Sequence, residues 1–224
     1  MNAVVPHRFL FRYSIPITQV AGIPKRGRQL LKLSDNHSLP SFSELDDEQE
    51  FADIRMGWNE KGIGISVTVK SKKRDVECDK RDPAESDGLQ VWIDTRDTQS
   101  IHRASRFCHH FCLIPSGFGT NGKQPAVIQL PIARAREEAA IADSDQFRIL
   151  TKPNTKGYSL EAWFPAETLF GFDSACSDDR QNPLIGFYYY ARDQELGEQF
   201  LSVGREFPFA QDPSLWSTLE LVRT

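Results

Sequence analysis

The feature that most restricts the fold of this 224-residue chain is a recurring one-by-one alternation of apolar and polar residues. Residues 87–94 show it most clearly. Their aliphatic set is Leu89, Val91 and Ile93, and the intervening set is Gln90, Trp92 and Asp94. A period of two indicates a β-strand with two unlike faces. We therefore expect the aliphatic face to pack into a core and the Trp92 face to meet a ligand or a covering layer.

Roughly ten short segments of strand character follow one another, separated by residues typical of turns. They cover residues 9–17, 30–33, 54–58, 63–69, 87–94, 106–114, 127–132, 147–151, 158–164, 185–192 and 216–222. The clearest local pairing is a hairpin of residues 54–58 and 63–69 around a turn at 59–62. Residues 133–142 have helix-forming composition, but in an otherwise β chain they are interpreted as an exposed strand extension or a turn. Residues 166–170 are predicted to form one helical turn, and the polar residues 72–86 and 171–183 are predicted to form loops. This profile predicts an all-β fold, an antiparallel two-sheet β-sandwich of jelly-roll-like type with little helix.

Length and composition indicate one folded domain over residues 1–224, with residues 1–50 partly wrapping around it. The net charge of −4 argues against a general nucleic-acid binder. We find no apolar run long enough to span a membrane and no secretory signal within residues 1–20. The four cysteines show no disulfide framework, so we expect the protein in the cytoplasm.

Five segments are similar, in order, to the strand motifs of one known family. Residues 51–58 are like its strand ending in Ala-Trp-Asp, and the hairpin partner at residues 63–69 follows. Residues 86–94 are like its Asp-Ser-Val-Glu-Val-Phe-Ile-Asp strand. Residues 157–165, Gly-Tyr-Ser-Leu-Glu-Ala-Trp-Phe-Pro, are similar to its Gly-Tyr-Thr-Val-Glu-Ala-Ala-Ile-Pro, and residues 185–193 follow. This succession, spanning roughly residues 38–222, resembles the family-9 carbohydrate-binding modules and the wider DOMON-like group of β-sandwiches.

The resemblance implies an antiparallel sandwich that, in the best-known family members, binds sugars with aromatic residues. Gln90 departs from the Glu that the family usually carries there, which removes a charge from this position. Some distant DOMON-like relatives bind haem. This chain has two Met, and Met56 would lie in a strand, so we predict no cofactor.

Seven residues carry sugar-binding chemistry, namely Trp92, Gln90, Trp163, Glu161, Tyr188, Tyr190 and Arg192. Strand parity directs Trp92, Gln90, Trp163 and Glu161 away from the core. Aromatic rings pack on the apolar side of a pyranose, while amides, carboxylates and guanidinium groups bind its hydroxyls. The seven would form one surface if their strands are neighbours; the alternative is that the aromatics lie under a loop or in a second packed layer. Trp58 and Trp216, near strand ends, are expected in the core.

These residues predict a non-catalytic carbohydrate-binding-like module whose ligand is an oligosaccharide. The alternative is a cytoplasmic interaction or scaffold module of the same fold, in which this surface packs on a protein partner or a second copy. A small enzyme with an unrecognised site is a third reading. The sequence lacks a nucleophile elbow, a phosphate loop and a zincin motif, so we predict that the protein is not an enzyme.

Two clusters of potential metal ligands are interpreted as structural. They are Cys108, His110 and Cys112, and Glu85, Asp87, Asp94 and Asp97. A tetrahedral zinc site needs four ligands, and no clear second pair accompanies the first cluster. The acidic cluster lacks EF-hand-like spacing, which favours solvated turn residues over a calcium site. We predict no metal site.

Overall fold

A computed structural model describes residues 14–41, 49–154, 156–177 and 182–223. These ranges contain eleven β-strands and one short α-helix. The strands are β1 (Ser14–Thr18), β2 (Ala52–Asn59), β3 (Gly62–Val69), β4 (Gly88–Asp94), β5 (Cys108–Phe118), β6 (Gln124–Leu130), β7 (Arg148–Asn154), β8 (Gly157–Pro165), β9 (Leu184–Asp193), β10 (Gly197–Phe200) and β11 (Ser217–Val222), and the helix is α1 (Phe172–Cys176). Among the described helices, none has the length and apolarity needed to cross a membrane.

The strands form two sheets, which confirms the predicted β-sandwich. The larger sheet has the order β1-β11-β9-β4-β5-β6, with β10 paired to β9, and the smaller has the order β2-β3-β8-β7. The pairs of the described strands are antiparallel except for β1 with β11, which is parallel. The predicted hairpin is β2–β3, in which Asn59 pairs with Gly62 around a two-residue turn.

The core lies between the sheets and contains the aliphatic face of β4, and the inner faces of β5 and β8 meet there. Leu89, Val91 and Ile93 are buried, as the alternation predicts. Val91 pairs with Phe111 of β5, and the Phe111 ring packs on Phe164 of β8 at 4.9 Å between ring centroids. This register also decides the orientation of β5, which the sequence leaves open: its odd-numbered residues face the core and its even-numbered residues face outward.

Two local predictions need correction, and one lies partly outside the described residues. Residues 30–33 form no strand; Leu30 and Leu31 are buried in an irregular segment that packs on Trp163. The helix α1 falls within residues 171–183, for which the sequence predicts a loop, whereas residues 133–142 form turns, one of the two structures expected for them. The first predicted strand, residues 9–17, coincides with β1 only from Ser14, and residues 9–13 are outside the described ranges.

Candidate functional site

Five of the seven predicted site residues share the outer face of the larger sheet, the face directed away from the smaller sheet. Gln90 pairs with Tyr190 and Trp92 pairs with Tyr188 across β4 and β9. Arg192 extends the same face by pairing with Gly88. Side chains on one face of an antiparallel pair lie close enough to interact directly. β4 and β9 are therefore neighbours, and their pairing brings Gln90, Trp92, Tyr188, Tyr190 and Arg192 onto one face.

Glu161 and Trp163 do not join this face, which corrects the expectation of one seven-residue surface. They lie on β8, which belongs to the smaller sheet and pairs with β3 and β7. Their outward side is occupied by the segment before residue 34: Trp163 packs in a cluster with Leu30 and Leu31. The Glu161 carboxylate accepts hydrogen bonds from the backbone N–H groups of the same two leucines. Both side chains hold that segment on the sheet.

Residues 201–216, which we call the covering segment, lie over the aromatic part of the outer face. Phe209 of this segment stacks on Tyr188 at 4.5 Å and meets Trp92 edge-on at 5.5 Å. The Tyr188 hydroxyl donates to the Val203 carbonyl. Trp92 is 2% exposed, so the aromatic residues form the second packed layer that the sequence left as an alternative. These covering contacts come from residues 203 and 209 of this segment.

A buried polar group lies beside Trp92 and includes part of the cysteine–histidine cluster. The His110 ring stacks on Trp92 at 4.2 Å, and its Nε2 lies 3.0 Å from Gln90 Oε1 and 4.0 Å from Cys112 Sγ. The Gln90 amide donates to the Ala84 carbonyl. Burial lowers the pKa of His110 to about 3 and raises the pKa of the Cys112 thiol to about 12. Both groups are therefore neutral near pH 7 and pack as polar residues of the layer.

The acidic residues singled out in the sequence are each engaged at a different place. Asp87 contacts the ammonium of Lys72 at 3.0 Å. Asp94 accepts from the N–H groups of its own turn, and Asp97 accepts from the Thr218 hydroxyl. Within the described ranges, no three His, Cys, Asp or Glu side chains come together as ligands for a metal.

The outer face reaches solvent at the β9–β10 edge, where five residues form what we call the rim cluster. They are Glu85, Tyr190, Arg192, Glu198 and Arg205. Arg205 donates from Nε and Nη2 to the Glu198 carboxylate at 2.6–2.9 Å, and its guanidinium lies 5.2 Å from the Tyr190 ring centroid. The Tyr190 hydroxyl donates to Glu198 at 2.6 Å. On the other side, Arg192 pairs with Glu85 at 2.6 Å.

The electrostatics of the rim cluster follow from these contacts. Hydrogen bonds from Arg205 lower the pKa of Glu198, so its carboxylate stays charged at neutral pH. Burial and the hydrogen bond to Glu198 raise the pKa of Tyr190 to about 12. The side chain of Arg205 is 54% exposed and that of Glu198 is 34% exposed. The rim cluster thus presents positively charged hydrogen-bond donors and negatively charged acceptors to solvent.

Sequence reasoning missed Glu198 and Arg205, and it considered Glu85 only as a metal ligand. Glu198 belongs to β10, a four-residue strand too short to show an alternation. Arg205 lies in the irregular covering segment, where no period identifies a face. The only available signal was the proximity of residues 197–205 to β9 along the chain.

Comparisons with known proteins identify the fold. No protein-family model matches the sequence, and no curated protein matches it. A family-9 carbohydrate-binding module from Caldicellulosiruptor kristjanssonii, in complex with cellotriose, has a TM-score of 0.61 and 12% identity over 95% of each chain. A glucose complex of a family-9 module from that organism has a TM-score of 0.60 and 14% identity, covering 93% of this chain and 96% of that one. A proposed carbohydrate-binding protein from Bacteroides uniformis has a TM-score of 0.50 and 12% identity, covering 76% of this chain and 78% of that one. The chain therefore has the β-sandwich fold of the family-9 carbohydrate-binding modules.

Proposed function

We propose that the protein is a non-catalytic carbohydrate-binding module that binds an oligosaccharide at the rim cluster. The observation that carries the proposal is the arrangement of two carboxylates and two guanidinium groups around Tyr190, at the place where the outer face meets solvent. Sugar hydroxyls donate and accept, so they pair well with carboxylates and guanidinium groups. The fold supports the proposal, because structures of this fold have been determined with cellotriose and glucose.

The first ligands to test are the two named for those structures, cellotriose and glucose. Tryptophan fluorescence is a poor reporter, because Trp58, Trp92, Trp163 and Trp216 are all buried. We therefore favour amide chemical shifts from the ¹⁵N-labelled full chain, recorded during titration with each sugar. Binding at the rim should shift the amide signals of β9, β10 and the start of the covering segment.

Two variants test the assignment to the rim. Glu198→Gln and Arg192→Gln each remove a charged hydrogen-bonding group, which should weaken cellotriose binding roughly tenfold to a hundredfold. Phe170→Ala is the matched control, because it removes an exposed aromatic ring elsewhere in the fold. A loss in Phe170→Ala with no loss in the rim variants would refute this location. No response of the wild-type protein across a broad panel of glycans would refute the function.

A second candidate function is recognition of a protein partner or a second copy through the rim cluster. Burial of Trp92 supports it, because the largest aromatic ring of the outer face is not available to stack on a sugar. Light scattering after gel filtration at several concentrations distinguishes the two. A concentration-dependent dimer that Arg192→Gln disrupts, without any glycan response, would support this alternative.

A further inference from the structure

An open cavity lies where the far end of the covering segment meets two loops of the larger sheet. Its volume is about 390 Å³, and its lining residues are His102, Arg103, Arg134, Pro208, Gln211 and Asp212. Residues 102–103 precede β5, and Arg134 follows β6. Pockets of this size accommodate small molecules such as a single sugar ring. The cavity is separate from the rim cluster, whose side chains are absent from its lining.

The orientation of Arg103 is fixed by backbone carbonyl groups rather than by a carboxylate. Its Nε donates to the Arg134 carbonyl at 2.9 Å, and its Nη2 donates to the Ala135 carbonyl at 3.2 Å. Within the described residues, neither Arg103 nor Arg134 has a carboxylate within ion-pair distance. Neutral carbonyl groups orient a guanidinium without cancelling its charge. The cavity therefore has two guanidinium charges available to a ligand.

The one carboxylate in the lining, Asp212, is already engaged. Its Oδ1 accepts from the backbone N–H and the hydroxyl of Ser214 at 3.0 and 2.6 Å, and its Oδ2 lies 3.0 Å from His102 Nδ1. Although burial opposes the charge, these hydrogen bonds lower the pKa of Asp212. The lining thus contains two cationic side chains against one hydrogen-bonded carboxylate. That balance favours an anion in a chain whose net charge is −4.

We propose that this cavity binds a sugar that bears a carboxylate, that is, a uronic acid residue. Arg134 binds the carboxylate, since the guanidinium fork matches its geometry, and Arg103 contributes its charge and its Nη1 donor, because its Nε and Nη2 already donate to backbone carbonyl groups. The Gln211 amide binds ring hydroxyls, and Pro208 offers an apolar surface to the ring. The inference that the cavity binds an anion is based on the charges of its lining residues. The inference that this anion is part of a sugar rests on the proposed function.

The experiment compares methyl β-glucuronide with methyl β-glucoside, which share a ring and differ in the carboxylate. Each is titrated into the ¹⁵N-labelled full chain. We expect the glucuronide to shift the amide signals of Arg103, Arg134 and Gln211, and to bind at least fivefold more tightly than the glucoside. Inorganic sulfate is titrated in parallel. Sulfate binding as tight as that of the glucuronide would show an adventitious anion only and overturn the proposal.

Variants assign the effect to the two arginines. Arg103→Gln/Arg134→Gln should weaken glucuronide binding about tenfold or more. Arg26→Gln/Arg28→Gln removes the same charge from an exposed loop and should leave binding unchanged. Arg134→Gln alone gives a second reading, because the Arg134 side chain makes no hydrogen bond or ion pair within the described residues and its loss should not disturb folding. Glucuronide binding that survives in both Arg134 variants would refute the assignment.

The titration with cellotriose distinguishes a failure of this inference from a failure of the proposed function. If cellotriose binds at the rim and glucuronide leaves the cavity signals unchanged, only the cavity proposal fails. If glucuronide binds in the cavity and no neutral sugar shifts the rim signals, the rim proposal fails and the cavity proposal stands.

Discussion

Replacement of Lys72 by Met should be among the most destabilising single changes in the described chain. The Lys72 ammonium lies 3.0 Å from Asp87 and 2.9 Å from Asp193, and the three side chains are at most 2% exposed. Lys72 follows β3 of the smaller sheet, while the two aspartates adjoin β4 and β9 of the larger one. The ion group therefore connects the two sheets at one end of the sandwich.

The expected magnitude follows from what the variant leaves behind. Lys72→Met keeps the volume of the side chain but leaves two buried carboxylates without their cation, which costs about 3–5 kcal/mol. Typical domains have unfolding free energies of only about 5–15 kcal/mol, so this loss is a large fraction. Asp193→Asn in the Lys72→Met background removes one of the two charges and should recover part of the loss.

Equilibrium urea unfolding at pH 7 measures this effect, with Lys73→Met as the matched control because Lys73 is exposed. A loss below about 1 kcal/mol, or one equal to that of Lys73→Met, would refute the reasoning. The pH dependence gives a second check. Burial disfavours the ammonium, but hydrogen bonds with Asp193 and Asp87 raise the pKa of Lys72 above its ordinary 10.5. Its stabilisation is therefore complete below pH 10.5 and is lost as the pH rises through the raised pKa.

Two further changes test the covered face and the histidines of β5. Burial lowers the pKa of His109 to about 4 and of His110 to about 3, from an ordinary 6.5. The free energy of unfolding should therefore fall as the pH drops from 6.5 to 4, by about 1.4 kcal/mol per pH unit for each histidine. For both histidines together, the loss at pH 5 is about 4 kcal/mol. Equal urea midpoints at pH 7 and pH 5 would contradict this. Phe209→Ala should cost about 3–5 kcal/mol and shift tryptophan emission to the red by uncovering Trp92. Phe170→Ala, at an exposed ring, should do neither, and unchanged emission in Phe209→Ala would show that the cover does not depend on this ring.

The sandwich could be predicted from the sequence because its strands are defined by local alternation. The parity of Leu89, Val91 and Ile93 assigned the inner face of β4 before any partner strand was known. The same parity placed Trp92 on the outer face, where it pairs with Tyr188 of β9. What parity cannot supply is the assignment of a strand to a sheet, and Trp163 was grouped with Trp92 for that reason.

The buried ion group shows a second limit. Lys72 begins a charged stretch that reads as an exposed loop, yet its side chain is buried against Asp193, 121 residues away in the chain. A charged side chain is buried only when the fold brings oppositely charged partners to it, and a local sequence pattern does not reveal such distant partners. The covering segment could not be predicted for a similar reason. Residues 201–216 show no alternation of apolar and polar residues that would identify Phe209 as a residue facing the sheet.

The covering segment links the two proposed sites. Arg205, near its beginning, contributes to the rim cluster, and Gln211 and Asp212, near its end, line the cavity. Phe209 lies between them and packs on Tyr188 and Trp92. Because Trp92 and Tyr188 pack against this segment, we propose that they position the groups of the two proposed sites without contacting a ligand themselves. In this proposal, the ring that meets the ligand is Tyr190 of the rim cluster.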